Sequence, residues 1–240
     1  MPADQALPAA CPVCGVVLAK VGQTFTREHR RPRTAVQVED AALDGERPSL
    51  TELLLHTPGA PDAVRATLHA ALLAALAVWG LVLIAQDYRS GEIMQSFLHG
   101  PLLVFHEAGH VLFSFLGHWM TVAGGTLMQL AMPLVLSVAL LWKRRDPFGA
   151  AVGLWFFGVS LLDVAPYVYD AFAPQLMLLS GQTGEEGGHD WIELLGSAGR
   201  LGQARALGAA VHHMGAVVVL GALVWAGLVL RGEIADVRGN

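Results

Sequence analysis

His106-Glu107-Ala108-Gly109-His110 is the segment of this 240-residue chain best equipped for chemistry. Residues four apart share one face of a helix, so His106 and His110 can hold one metal ion between them. Glu107 then projects beside that ion, where a carboxylate can take a proton from water. The surroundings sharpen the pattern. From Ile93 to Trp119 the only formal charge is Glu107. Ionisable groups inside an apolar run are costly in a bilayer and functional by default. The plain alternative is a polar cluster that hydrogen-bonds neighbouring helices.

A second pattern lies near the start. Cys11 and Cys14, with Gly15 after them, have the spacing of one zinc-ribbon knuckle. They are the only cysteines in the chain, so no second knuckle exists. His29, His56 or a second subunit would have to complete a tetrahedral site. A free or disulfide-bonded pair is the alternative.

The elements that must position these groups are legible in the charge pattern. Hydrophobic residues make up 54% of the chain and charged residues 15%, against about 25% charged in a typical soluble domain. Fifteen basic against twenty acidic residues leave a net charge of −5, which provides no basic surface for nucleic acid. The apolar excess is gathered into runs. A bilayer crossing needs about 20 apolar residues, and the runs predict an all-α polytopic membrane protein with about five transmembrane helices. These fall at 66–86, 97–118, 120–142, 148–168 and 209–230. Pro101–Leu116 is short for a crossing, so that helix is tilted, buried or only partly across. Residues 1–65 read as a small extramembrane module, 170–207 as a polar loop and 232–240 as a tail.

Orientation carries two conflicting signals. Lys143-Arg144-Arg145 forms a short basic loop and 170–207 is acidic, which puts the first in the cytoplasm and the second outside. Five full crossings then put residues 1–65 outside, whereas a zinc knuckle suits the reducing cytosol. A partial crossing by Pro101–Leu116 removes the conflict.

The His106–His110 motif on an apolar helix, followed by further spans, resembles the site-2 protease class of intramembrane zinc metalloproteases. The resemblance extends over about 66–230 and is firm on the motif helix. It implies a Zn2+ cofactor, His106 and His110 as metal ligands and Glu107 as general base. It also implies an integral protein of a prokaryotic-type inner or plasma membrane, with a membrane-tethered peptide as substrate and the lipid bilayer as surroundings. The family's third ligand is the aspartate of a Leu-Asp-Gly motif, which this chain lacks; Leu162-Asp163-Val164 is the nearest match.

Three sets of residues compete for the third ligand. His189 and Asp190 sit in a Gly-rich turn that can fold back over the site, and they are the first choice. Asp163 is second; with Tyr167 and Asp170 it forms a polar stripe on one helix face. His212 or His213, near the start of the last span, is third. Each also has an ordinary role available: His189-Asp190 as a helix cap, Asp163 at a kink near Pro166, the last two as interhelical hydrogen-bonders. Gly124-Gly125 permits close helix approach, and Thr126 and Gln129 lie one turn apart beside it. His99 and His118 flank the motif helix without ligand spacing and read as interface residues. Beside the peptidase reading stand two others: a non-proteolytic membrane metal-binding protein, and a membrane-anchored adaptor working through residues 1–65.

Overall fold

A computed structural model describes residues 49–239. Cys11, Cys14 and His29 lie outside the described residues, and the zinc-knuckle reading with them. Seven α-helices are present among the described residues: α1 Leu50–Leu55, α2 Ala63–Ala85, α3 His99–Phe113, α4 His118–Lys143, α5 Pro147–Asp170, α6 Asp190–Ser197 and α7 Ala204–Gly239. No strand occurs among them, only an isolated bridge between Met177 and Thr183. Four helices are long and apolar enough to cross a membrane: α2, α4, α5 and the helix ending at Gly239.

Local chemistry explains the helix starts. Ser49 and Glu52 form a reciprocal capping box on α1. Asp62 accepts from the Val64 N–H at 2.9 Å and opens α2. Asp146 accepts from the Gly149 N–H at 2.8 Å and opens α5 with Pro147 in its first turn. The Trp225 indole donates to the Leu54 carbonyl at 2.8 Å, which ties α1 to α7. α1 lies in the compact unit that spans Pro48–Asn240.

α5 is the hub, buried along most of its length between α4 and α7. At one end of the bundle Ala66, Phe148, Ala151, Ala226 and Val229 pack together. This end carries the Lys143-Arg144-Arg145 loop. At the other end Ala171, Leu195 and Ala204 pack under α6. Between them Ile93, Leu98 and Leu102 pack against Trp155 and Val159, halfway along α5.

That middle layer selects the partly crossing option among those the short second segment leaves open. After α2 the chain turns back into the bundle, and α3 starts at half depth. His99 faces Asp163 of α5, His106 faces Gln129 of α4, and His110 faces the Thr121 carbonyl. α3 therefore climbs to the same end it came from, antiparallel to α4. Its 15 residues reach about 22 Å, short of the ~30 Å of a hydrocarbon core. The five expected crossings become four helices of crossing length and one half-depth helix.

The polar loop also acquires structure. Its α6 covers two turns, with His189 as N-cap. The His118 imidazole lies 2.7 Å from the Glu193 carboxylate, and the Trp119 indole donates to Ser197 Oγ at 3.2 Å. These contacts bind α6 to the start of α4.

Candidate metal centre

The α3–α4 contact is made by bare backbone. A Cβ on Gly109 would strike the Gly124 carbonyl, and a Cβ on Gly124 would come within 2.6 Å of the Gly109 oxygen. One residue on, a Cβ on Gly125 would lie 2.5 Å from His106 Nε2 and 2.7 Å from His110 Nε2. Glycine at 125 thus leaves open the space in front of both imidazoles.

The third group in that space is Asp190. Its Oδ2 lies 2.9 Å from His106 Nε2 and 3.4 Å from His110 Nε2. The potential ligand atoms of His106, His110 and Asp190 all fall within 4.8 Å of one another. His106 is buried, and His110 and Asp190 are half-buried. Burial pushes the Asp190 carboxyl up, but the His106 and His110 imidazoles beside it together outweigh burial and hold it below the usual carboxylate range.

Both imidazoles are held from behind. His110 Nδ1 donates to the Thr121 carbonyl at 2.8 Å, and His106 Nδ1 donates to Gln129 Oε1 at 3.0 Å. With the protons on Nδ1, both Nε2 atoms turn lone pairs toward one carboxylate oxygen. Three electron-rich atoms in a half-buried space repel one another unless a positive charge sits among them. An added proton on an imidazole or a metal ion meets that need. Two imidazole nitrogens and one carboxylate oxygen form a donor set suited to zinc, with a fourth position left open. The residues present fit the ion.

The other candidates go elsewhere. His189 caps α6 through Nδ1, 3.4 Å from the Ile192 N–H, and points Nε2 toward Asp170 Oδ2 at 3.5 Å. Its ring stacks on Tyr167 at 4.2 Å. The expected His189–Asp190 pair is therefore split, because adjacent residues at a helix start diverge. Asp163 is not among the clustered groups; it sits between Gln129 Nε2 at 2.8 Å and His99 Nδ1 at 2.9 Å. His212 and His213 pack around Tyr88 at centroid distances of 4.6 and 6.4 Å, apart from the cluster. His56 is an exposed C-cap residue of α1.

A cavity of about 660 Å3 opens on the cluster. Glu107, Tyr167, Leu103 and Val164 line one part, and Met177 and Leu179 of the loop line another. Glu107 is solvent-accessible, one residue beyond His106. The Asp190 N–H donates to Tyr167 Oη at 3.0 Å, leaving the hydroxyl proton of Tyr167 free to donate.

Two residues take roles here that their sequence readings do not give them: His99 reads as an interface residue and Gln129 as part of a stripe beside the glycines. His99 lies seven residues before His106 on the same helical face, a periodicity that marks it as cavity-lining. Gln129 is one of few hydrogen-bonding side chains in its apolar run, and such residues in apolar helices find specific partners. Comparison with protein-family models, curated proteins and solved structures yields no match to this chain.

Proposed function

We propose that this chain is an integral membrane zinc peptidase that hydrolyses peptide bonds of membrane-tethered substrates. One observation carries the proposal: two imidazoles of a His-Glu-x-x-His helix and a distant carboxylate converge on a glycine-walled space beside a cavity. His106, His110 and Asp190 would hold the ion. When bound, zinc supplies Lewis acidity toward water and toward a peptide carbonyl.

The rest falls to the chain's own residues. Glu107, at the cavity edge, takes the proton of the attacking water and delivers it to the departing amine. Tyr167 aims its free O–H into the cavity and steadies the developing negative charge on the carbonyl oxygen. The apolar walls around Leu103, Val164, Met177 and Leu179 accept an unwound stretch of a hydrophobic segment.

The half-depth α3 supports one orientation on this reading. With four crossings, the start of α2, the 143–147 loop and the end of α7 share one face. Arg65, Lys143, Arg144, Arg145, Arg231 and Arg238 lie at that face, against Arg89, Arg200 and Arg205 at the other. The positive-inside rule makes the first face cytoplasmic. The metal centre then opens toward the outer side, and α1 lies on the cytosolic side.

The test is zinc content and cleavage of membrane peptides by detergent-purified protein, parent against Glu107→Gln. The expected result is one bound zinc in both and a loss of about 10²–10⁴-fold in cleavage by the variant. Equal cleavage by both overturns the peptidase reading. Bound zinc with no cleavage by the parent favours the non-proteolytic metal-binding alternative.

A further inference from the structure

Asp163 occupies the place where the sequence most nearly matches an intramembrane ligand motif, yet it does not reach the metal space. Its surroundings give it a different task. A carboxylate only accepts hydrogen bonds. Asp163 Oδ2 lies 2.8 Å from the Gln129 amide, so Gln129 must turn its nitrogen toward Asp163. The amide oxygen is then left for the opposite side, where it lies 3.0 Å from His106 Nδ1. His106 Nδ1 must therefore carry the ring proton, and Nε2 keeps its lone pair for the ion. The reverse amide orientation would set its oxygen against the Asp163 carboxylate. Asp163, Gln129 and His106 are 5%, 3% and 6% exposed, so their hydrogen bonds are largely covered by protein although the cavity reaches their edge. His99 Nδ1 donates to the other oxygen of Asp163 at 2.9 Å and completes it.

The geometry points to Asp163 as a positioning residue that sets the metal-binding tautomer of His106 through Gln129. The inference rests on His106 being a metal ligand. It also separates the two histidines. His110 is oriented by a main-chain carbonyl that no side-chain substitution removes. His106 depends on two side chains in succession, and its orientation is open to mutation.

The test uses chelator competition to measure the zinc affinity of the full-length protein in detergent. Asp163→Asn can donate to the Gln129 oxygen, which frees the amide to reverse and turn an N–H toward His106. Affinity is expected to fall about 10–100-fold, the usual cost of losing an outer partner of a ligating histidine. Gln129→Glu alone sets two carboxylates together and is expected to fall as well. The double variant Asp163→Asn/Gln129→Glu exchanges the amide and the carboxylate, so that residue 129 again accepts from His106 and residue 163 donates to residue 129. It is expected to recover most of the lost affinity, which a merely structural role for Asp163 does not predict. If Asp163→Asn does not accumulate as folded protein, Gln129→Leu tests the same link and is expected to show the same fall.

Unchanged affinity in Asp163→Asn or Gln129→Leu overturns the assignment and leaves the metal centre standing. So does a double variant no better than the weaker single one. A parent protein that takes up no zinc overturns the metal centre itself, and the assignment with it.

Discussion

The two sources of the proposed metal centre are built differently. His106 and His110 stand on α3, which lies against α4 with glycine backbone on both sides. The approach of the two helices there is set by backbone contact and not by side chains. Asp190 arrives on the first residue of the eight-residue α6, inside a long connection with glycines in the left-handed region at 181, 187, 188 and 199. That region is held by side chains: Tyr167 on the Asp190 N–H, Ser197 on Trp119, Glu193 on His118. The contrast teaches where rigidity and adaptability reside. Two of the proposed ligands are preset by the helix pair, and the third is brought by a segment that also forms the cavity wall.

The strongest way to break this contrast is to fill the rigid half. Gly125→Val places a branched side chain where the two Nε2 atoms converge, and is expected to abolish zinc uptake altogether. Gly221→Ala, with open space around it, is expected to leave uptake unchanged. Metal analysis after gel filtration reads both. Next comes the half held by side chains. Asp190→Ala is expected to lower zinc affinity by more than the ~100-fold typical of outer partners, while neighbouring His189→Ala keeps its zinc and loses thermal stability. Equal zinc loss in both would mean that the segment acts as a whole and not through Asp190.

A third prediction concerns the link just beyond the ligands. His99→Ala removes one of the two partners of Asp163 but leaves Gln129 in place, so zinc affinity is expected to drop less than in Asp163→Asn. The smallest effect is expected from the tethers. Glu193→Gln weakens an exposed pair with His118; such pairs contribute about 0–1 kcal/mol, so affinity is expected to change no more than about fivefold. A larger change would make the attachment of α6 the controlling feature.

The same division decides what could be read in advance. The His106–His110 motif is local, and helical periodicity alone brings its members together. Asp190 lies 84 residues from His106, and its arrival depends on how a Gly-rich connection folds back. Residue type narrowed that choice to a few carboxylates and imidazoles but could not separate Asp190 from His189, since their divergence follows from the start of α6. The long apolar helices were legible because crossing length and charge absence are one-dimensional properties. The half depth of α3 was not, because it follows from Leu98 and Leu102 packing beside Trp155 and Val159, a contact with no signature within its own segment. The shortness of Pro101–Leu116 opened tilted, buried and partly crossing alternatives without choosing among them.

The half-depth entry of α3 also bears on the membrane as a barrier to ions. His99 marks the deep end of the polar chain, and beyond it the bundle closes with Phe148, Ala151, Ala226 and Val229 in apolar contact. In the proposed orientation, water, protons and cleaved product all exchange with a single compartment. On the proposed reading the cavity is a blind shaft, and hydrolysis inside a bilayer would proceed without short-circuiting the gradients that the membrane maintains.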